Sequence, residues 1–522
     1  MLDWDVGYVT LARDGYNTRR SITVNGKAPI PPVFATVGDT LILNVHNSLP
    51  VPTTIHAHGI FQNGTSYLDG VGMVTQCPIP PGESYTYEYY LHQTGTFWLH
   101  GHTSHHNADG LRTPLVIYDR DDSKRPMQYD DDILISLEDW YANEIAHQLN
   151  EIYTLGQPFP PPLAYPYGLI NVVNGNDSTT INFTPGKRYR IRVINMGTTE
   201  WWKFRIPGHK LYVIEADGIY SEPLEVDGLD MGPGQRYSVV VQALDSDEYN
   251  YGFNATLYAN FVESKPGLNP HFYTSLIQYR EGAPVKEFVS TSDDALVWAD
   301  DVNLRAFDRL PAMSATRTIK IAATSKVFSD TFTYVTLNKT PYTPPPIIPT
   351  LFTTMSTREL AQNETVYGEQ TQANVLRQGE VIELYMENLM IMVHSMHLHG
   401  HAFQVIESGP VGNDSSPASP SDIRRYRGWP MRRDTFTIHP GHYVKIRFAA
   451  DNPGVWLFHC HMATHEGMGM VLTFIEAPDE LQKTQKIPDD LKQMCMRQGF
   501  KTSGNGAGKD GFDLSGLPPF PT

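Results

Sequence analysis

Short stretches of alternating apolar and polar residues recur along most of the chain. TLILNV, SYTYEYYL, YRIRVIN and YSVVVQA are typical, and turns rich in glycine and proline separate them. Strict alternation indicates a strand with one buried face, and many such strands at close spacing favour β-sandwiches. Helical patterning is sparse, and its clearest candidates lie near 142–150 and 478–497. The pattern therefore predicts an all-β protein.

Charge and hydropathy narrow the possible partners. The net charge of −17 argues against nucleic acid or an anionic membrane as a partner. No apolar run approaches the length of a membrane span, so we expect a soluble chain without a membrane-spanning segment. An apolar leader with a basic start is also missing, which predicts either a mature form or a protein that does not use export.

The segment HCHMATHEGMGM, residues 459–470, combines one cysteine with three histidines and a methionine. Cys460, His465 and Met470 supply the thiolate, imidazole and weak thioether of a blue copper centre, which needs one more histidine. His459 and His461 flank the cysteine, and alternate side chains of a strand face opposite ways. Both are therefore predicted to bind a second metal site behind Cys460. Zinc fits less well, because it gains nothing from an axial methionine.

Three further histidine clusters supply the ligands that these sites need. They are HSMHLHGH with His394, His397, His399 and His401, HAHG with His56 and His58, and WLHGH with His100 and His102. The His-x-His spacing places both imidazoles on one face of a strand, where they can hold a metal between two such pairs. Four copper ions need ten histidines, one thiolate and an optional thioether, which the four clusters provide. A copper store or one-site electron shuttle, the alternative from another class, would not need so many.

The four clusters, in this order, resemble those of the multicopper oxidases, the family of laccases, ascorbate oxidases, bilirubin oxidases and ferroxidases. The flanking segments VNGKAPIPPVFATVGDTLILNVHNSL, FQNGTSYLDGVGMVTQCPI and RRDTFTI are also similar, so the resemblance covers essentially the whole chain. It implies four copper ions, one of type 1, one of type 2 and two of type 3, with dioxygen as the electron acceptor. The implied ligands are His394, Cys460, His465 and axial Met470 for type 1, His56 and His397 for type 2, and His58, His100, His102, His399, His459 and His461 for type 3. His401 has no ligand counterpart in the family and is expected to support the ligands from behind.

Length and resemblance together predict three cupredoxin-like Greek-key sandwich domains. At 522 residues, and with about 150 residues per domain as a prior, three domains are expected. We place them at 1–120, 121–300 and 301–522. The first and third would share the three-copper cluster. The second, without a metal cluster, would act as spacer and pocket wall.

Oxygen reduction consumes protons, so carboxylates are expected near the cluster. Asp69, in YLDGVG, matches the family aspartate beside the type 2 copper, although an Asp-Gly turn would also place it there. Many fungal members carry an acid two residues before the type 1 histidine, where this chain has Ala463. Glu466 instead resembles the glutamate that directly follows this histidine in bacterial spore-coat laccases. Glu466 is thus the predicted proton donor, with a structural or solvent-facing glutamate as the alternative.

The identity of the reducing substrate divides the family. SLEDWY, GLRTPLVIYD and FQNGTS resemble the fungal ferroxidases, which oxidise iron(II) and present carboxylates beside the type 1 site. Two of those positions are occupied here by Met390 and Pro207. An apolar rim of Met390, Ile391 and Met392 would better suit an aromatic ring, although such residues more often pack in a core.

We therefore predict a laccase-like oxidase that takes single electrons from phenols or aromatic amines. Glu200 is the candidate acceptor of the phenolic proton, with Trp201 and Trp202 stacking on the ring. The competing interpretation is two core tryptophans and an exposed glutamate. Alternative functions are a ferroxidase serving iron uptake, or a bilirubin-oxidase-like or pigment-forming oxidase.

Several features favour secretion. The chain has seven Asn-x-Ser/Thr sequons, at Asn63, Asn176, Asn182, Asn254, Asn338, Asn363 and Asn413, as in a secreted fungal glycoprotein of the extracellular space or cell wall. The resemblance to fungal laccases implies a disulfide between Cys77 and Cys495, with two free thiols as the alternative. The tail segment DLSGL is similar to a laccase plug of the oxygen tunnel, and its role is open. We expect a monomer.

Overall fold

The computed structural model describes residues 1–518 except 14, 16–17, 104, 142, 146–166, 174–179, 259–271, 287–294, 329–332, 339, 413–418 and 420. Within these residues the strands form six sheets, which fall into three successive pairs. The first pair has the orders β2-β1-β4-β6 and β3-β8-β7-β5. Its strands are β1 Leu2–Leu11, β2 Arg19–Val24, β3 Val33–Thr36, β4 Thr40–Asn47, β5 Ile55–His58, β6 Ser84–Tyr90, β7 Gly95–Gly101 and β8 Arg112–Tyr118.

The second pair of sheets has the orders β10-β9-β12-β17-β14-β15 and β11-β19-β18-β13-β16, with β20 beside β18. Its strands are β9 Asp131–Trp140, β10 Tyr167–Val173, β11 Thr180–Asn182, β12 Arg188–Asn195, β13 Trp201–Arg205, β14 Leu211–Ala216, β15 Ile219–Val226, β16 Leu229–Met231, β17 Arg236–Gln242, β18 Asn250–Tyr258, β19 Phe272–Gln278 and β20 Val285–Lys286.

The third pair has the orders β22-β21-β24-β30-β26-β27, with β28 beside β26, and β23-β32-β31-β25-β29. Its strands are β21 Arg317–Val327, β22 Thr333–Leu337, β23 Ala373–Leu376, β24 Val381–Asn388, β25 His394–Leu398, β26 Phe403–Pro410, β27 Arg424–Arg425, β28 Arg432–Arg433, β29 Thr435–Ile438, β30 His442–Ala449, β31 Gly454–Cys460 and β32 Val471–Glu476.

One pairing recurs in all three sandwiches, which we call the first, second and third. The first strand of each lies parallel to a later one: β1 beside β4, β9 beside β12 and β21 beside β24. Because parallel neighbours cannot be joined by a hairpin, the chain must cross between the sheets, as in Greek-key sandwiches. The predicted all-β class with three cupredoxin-like sandwiches is thereby confirmed. The boundaries at 120 and 300 stay a prediction.

Helices are few among the described residues. The α-helices are Thr350–Ser356, Ala463–Gly467, Pro478–Thr484 and Asp489–Arg497, and short 3-10 helices are Ser66–Leu68, Asp122–Lys124, Arg358–Gln362, Glu364–Tyr367 and Glu369–Thr371. None of the helices in the described residues is long and apolar enough to cross a membrane. The helix predicted over 478–497 is broken before Asp489, because Pro488 lacks an N–H and disfavours a helical residue before it. Most of the helix predicted near 142–150 lies outside the described residues.

The C-terminal region fastens the third sandwich to the first. Cys495, in the last helix, forms a disulfide with Cys77 across a Cα separation of 5.4 Å, as predicted. The tail then runs along the third sandwich, where the Lys501 N–H donates to the Ile347 carbonyl and the Gly506 N–H to the Val366 carbonyl.

Candidate metal centres

The histidine pairs lie on neighbouring strands in two different sandwiches. His56 on β5 is directly opposite His100 on β7, and His397 on β25 is opposite His459 on β31. The two sheets meet through stacked imidazoles: the ring centroids of His58 and His397 are 3.7 Å apart. The first and third sandwiches therefore bring their His-x-His pairs to one buried junction.

At this junction the predicted type 2 and type 3 ligands form compact groups. His58, His100 and His461 make one group, His102, His399 and His459 make another, and His56 and His397 meet His58 in a third. Within each group the candidate ligand atoms all lie within 4.8 Å of one another. The two type 3 groups each combine histidines of both sandwiches. His401 belongs to none of the groups, and its Nδ1 faces the His399 carbonyl at 3.1 Å.

The unpaired ring nitrogens at the junction fit a bound metal. Nε2 of His56, His100 and His397 is buried without a hydrogen-bond partner, which is costly for a polar atom unless a cation binds there. The other nitrogen, Nδ1, faces a backbone carbonyl in each case, at 2.6 Å from Asp69, 3.1 Å from Gly101 and 2.9 Å from Asp434. A carbonyl only accepts, so these contacts hold the proton on Nδ1 and leave Nε2 free for a metal.

A second centre lies inside the third sandwich. The Cys460 sulfur is 3.8 Å from His394 Nδ1 and 3.7 Å from His465 Nδ1, and these two nitrogens are 3.1 Å apart. A triangle of this size suits one ion with metal–ligand bonds of roughly 2.0–2.3 Å. Burial raises the pKa of Cys460 to about 12, so a bound cation is needed to keep the thiolate there. Met470 is fully buried in the same core.

Asp69, the acid that the sequence places near the cluster, is fully buried. His399 Nδ1 donates to its Oδ2 at 2.9 Å. Gly70 follows at φ +80, and a Cβ there would lie 1.8 Å from the Ile55 carbonyl oxygen. Asp69 is therefore both a residue of an Asp-Gly turn and an acid next to the histidines, because the turn that Gly70 permits places Asp69 there.

Glu466 borders the same junction from a cavity of 380 Å³ that is also lined by His100, His102 and His461. Its Oε1 lies 3.6 Å from His102 Nδ1 and its Oε2 lies 3.8 Å from His459 Nδ1. Burial raises its pKa to about 8. Ala463 only packs here, donating its N–H to the Thr198 carbonyl.

The predicted aromatic-substrate residues do not form an open pocket. Trp201 and Trp202 are buried, as the competing interpretation held, and Glu200 is also buried at 2% exposure rather than exposed. Of the rim, Met390 and Met392 pack against the core of the third sandwich, whereas Ile391 is 89% exposed. Glu200, Trp201 and Trp202 are buried at the start of β13, and the rim residues belong to the connection between β24 and β25. Together they form no open pocket for an aromatic ring.

Two features of the site were missed in the sequence. Asp434 contacts His58 and His397, and its only signal was the family-like segment RRDTFTI. A cleft of 360 Å³ between the second and third sandwiches is lined by Asp230, Asp422 and His439, among others. No local pattern could have found this cleft, because its residues come from separate segments.

Comparisons with known proteins agree with this architecture. Three multicopper oxidase models match residues 5–122, 131–281 and 342–480. The iron transport multicopper oxidase fetC of Epichloe festucae is 35% identical over 99% of this chain and 83% of its own length, and fio1 of Schizosaccharomyces pombe is 35% identical over 100% and 83%. The crystal structure of Fet3p, a multicopper oxidase that functions in iron import, superposes with a TM-score of 0.90 at 30% identity, covering 100% of this chain and 98% of that one.

A laccase is also similar, but less so. The structure of the Botrytis aclada laccase gives a TM-score of 0.77 at 28% identity, covering 95% of this chain and 91% of that one. A three-sandwich fold with a Cys-His centre beside a histidine cluster defines a copper-dependent oxygen oxidoreductase. The chain belongs to the multicopper oxidase family, and its cofactor is four copper ions, one of type 1, one of type 2 and two of type 3.

The predicted laccase-like activity on phenols or aromatic amines is wrong. Relatives that are 31–35% identical over nearly the whole chain are iron transport oxidases. The alternative of a ferroxidase fits better. The prediction failed because it gave too much weight to Met390 and Pro207, two positions without an acid.

Proposed function

We propose that this protein is a ferroxidase, which oxidises four Fe(II) to Fe(III) and reduces one dioxygen to two waters with four protons. When bound, the coppers supply the electron chemistry, taking electrons singly and delivering them to dioxygen. The observation that carries the proposal is the similarity to iron transport oxidases over 98–100% of the chain. The second alternative, a pigment-forming or bilirubin-type oxidase, has no comparable support.

The ligand assignment is part of this proposal. His394, Cys460 and His465, with Met470 behind them, would hold the type 1 copper, and His56 and His397 the type 2 copper. The two type 3 ions would be held by His58, His100 and His461 and by His102, His399 and His459. The support is the short distances within each group and the buried ring nitrogens that lack a partner.

The cleft between the second and third sandwiches supports a cationic substrate. Its wall strand β29 pairs with β25 and places Ile438 opposite His394, so the cleft is about one strand spacing, roughly 5 Å, from the type 1 ligand strand. Asp230, Asp422, His439 and His442 line it, and the Arg424 guanidinium that also lines it is paired with Asp300. Oxygen and imidazole ligands of this kind suit Fe(II). We place the iron(II) there before it gives up its electron.

Protons for dioxygen would come through Asp69 and Glu466. Asp69 touches His399, and Glu466 reaches His102 and His459 from the adjoining cavity. Both acids thus surround the same type 3 group. A Glu466→Gln variant that reduced dioxygen at the wild-type rate and with the wild-type pH profile would remove Glu466 from this role.

The decisive experiment compares iron(II) with 2,6-dimethoxyphenol as reductants of the copper-loaded protein. We expect a kcat/KM for iron(II) that exceeds the value for the phenol by about 10-fold or more. His439→Gln should lower kcat/KM for iron(II) while the blue type 1 absorbance stays unchanged. The matched control is His46→Gln, an exposed histidine of the first sandwich. Efficient phenol oxidation with negligible iron oxidation would overturn the proposal.

We also propose that the protein passes through an oxidising, secretory compartment. The Cys77–Cys495 disulfide supports this, because such bonds persist outside the reducing cytosol. The sequon residues Asn63, Asn182, Asn338 and Asn363 are exposed, as glycan carriers must be. Enzymatic removal of N-glycans from the native protein should lower its mass, and no mass change would contradict the proposal. The monomeric state stays a prediction.

A further inference from the structure

The buried junction contains a second aspartate that mirrors Asp69. The Asp69 carbonyl accepts from His56 of its own sandwich, and its carboxylate accepts from His399 of the other. The Asp434 carbonyl accepts from His397 of its own sandwich, and its Oδ1 lies 3.2 Å from Nε2 of His58 of the other. Each aspartate therefore orients one proposed type 2 and one proposed type 3 ligand.

The contact with Asp434 determines which nitrogen His58 presents to a metal. A carboxylate only accepts hydrogen bonds, so Nε2 of His58 must carry the proton that faces Oδ1. The lone pair is then on Nδ1, which lies 3.2 Å from Nε2 of His461, a member of the same type 3 group. Without the carboxylate, the opposite tautomer would turn an N–H towards the metal position.

Asp434 is itself fixed by the second sandwich. Arg236, the first residue of β17, binds it with both guanidinium nitrogens, Nη1 to Oδ1 at 2.6 Å and Nη2 to Oδ2 at 2.7 Å. The Nε of Arg236 donates to the Thr96 carbonyl on β7, the strand that carries His100. The Arg236 side chain is fully buried, so this one residue joins all three sandwiches at the histidine junction.

We propose that Arg236 and Asp434 are positioning residues through which the second sandwich holds His58 and His397 ready for copper. The second sandwich contributes no histidine to the groups at the junction among the described residues, yet its ion pair sets the ligand orientation. A further contact agrees: a Cβ on Gly234, two residues before Arg236, would come within 3.0 Å of His461 and 3.1 Å of His58. The second sandwich is therefore part of the copper site rather than a spacer. This inference rests on the proposed ligand assignment but not on iron(II) as the substrate.

The test is copper retention by the holoenzyme against a chelator. Arg236→Met and Asp434→Leu, which leaves no acceptor oxygen for His58, should release the trinuclear copper about 10- to 100-fold more readily than the wild type. The loss is followed by the electron paramagnetic resonance signal of type 2 copper and the near-ultraviolet absorbance of the type 3 pair. The blue type 1 absorbance should persist, because no type 1 ligand touches either residue in the described structure. A generally weakened fold would lose both kinds of copper together.

Arg190→Met is the matched control. Arg190 lies on β12, next to β17, and its Nη2 binds the buried carboxylate of Glu215 at 2.5 Å. Glu215 also accepts the Thr96 N–H, so this pair spans the same boundary with the first sandwich without touching the histidines. We expect trinuclear copper retention equal to that of the wild type. Equal loss in Arg190→Met and Arg236→Met, or wild-type retention in Asp434→Leu, would overturn the inference.

A third variant separates this inference from the ligand assignment on which it rests. His58→Ala should abolish the type 3 absorbance if His58 is a ligand. Retained type 3 absorbance in His58→Ala would overturn the assignment, and the positioning role with it. Loss in His58→Ala combined with wild-type retention in both Arg236→Met and Asp434→Leu would overturn the positioning role alone.

Discussion

Asp69 and Asp434 occupy equivalent places on the two sides of the histidine junction, yet their carboxylates differ in what else they bind. Both oxygens of Asp434 are used, by Arg236, Thr435 and His58. Oδ1 of Asp69 has no hydrogen-bond partner. His56 Nδ1 lies 3.2 Å from it, but this nitrogen donates to the Asp69 backbone carbonyl instead. Asp69 therefore keeps one carboxylate oxygen without a hydrogen bond, whereas both oxygens of Asp434 are bound by Arg236.

The two sides also differ in the carboxyl that contacts them from the cavity, although that cavity is lined by members of both type 3 groups, His102 of one and His100 and His461 of the other. Asp69 borders the group of His102, His399 and His459, and Glu466 reaches that group from the cavity. Asp434 borders the group that contains His58, against which Gly234 of the second sandwich packs. In the proposed function, Asp434 therefore orients ligands on one side of the cluster, whereas Asp69 and Glu466 supply protons on the other.

Replacing the glycine beside each histidine group with alanine, Gly70→Ala on one side and Gly234→Ala on the other, should give the largest difference between the two sides. Gly70→Ala would place a Cβ 1.8 Å from the Ile55 carbonyl at φ +80, which should cost about 4 kcal/mol or more and prevent folding of the first sandwich. Gly234→Ala at φ +86 meets only ring edges at 3.0–3.1 Å, so it should cost about 1–2 kcal/mol and lose trinuclear copper from a folded chain. Soluble yield and copper content measure both. Equal behaviour of the two variants would contradict the difference in backbone crowding.

The variants Asp69→Asn and Asp434→Asn should distinguish a role in proton transfer from a role in orienting the histidine ligands. Asp69→Asn keeps an oxygen for His399 but removes the ionisable group, so reoxidation of the reduced enzyme by dioxygen should slow by about 100-fold. Asp434→Asn should reoxidise at close to the wild-type rate once the rate is normalised to its trinuclear copper content. Stopped-flow reoxidation measures both variants. The same normalised loss in each would mean that the two aspartates have the same role.

Glu466→Gln should show whether Glu466 helps to supply protons from the cavity to the region of Asp69. Its carboxyl contacts His102 and His459 but not Asp69 among the described contacts, so water can substitute for it in part. We expect reoxidation to slow by about 10-fold, less than in Asp69→Asn. The control is Glu387→Gln, a carboxyl on β24 that accepts the Tyr385 hydroxyl and contacts no histidine of the junction among the described contacts. A larger loss in Glu466→Gln than in Asp69→Asn would reverse the order of the two acids.

Local sequence patterns locate the clustered histidines on their strands, but not the residues that orient them. His-x-His spacing on β5 and β25, and the HCH segment on β31, fix which faces carry imidazoles, because strand periodicity is local. Asp434 was missed because its partner Arg236 lies 198 residues away, a pairing that no local pattern contains. The same limit bears on the substrate: acids were sought at Met390 and Pro207, whereas the cleft in which we propose that iron(II) binds is lined by Asp230 and Asp422 from other segments.

Thr435→Val gives the smallest expected effect and the finest test of how tightly Asp434 is held. The Thr435 hydroxyl donates to Asp434 Oδ1 at 2.8 Å and lies 3.3 Å from His58 Nε2. Its removal leaves both bonds to Arg236 intact, so the free energy of unfolding of the copper-free protein should fall by only about 1 kcal/mol. Chemical denaturation with and without copper measures this change, with Thr324→Val, whose hydroxyl bonds Thr336 away from the histidines, as the control. If Thr435→Val lost trinuclear copper as readily as Arg236→Met, the hydroxyl and not the guanidinium would be the group that fixes Asp434, and the role of the second sandwich would shrink accordingly.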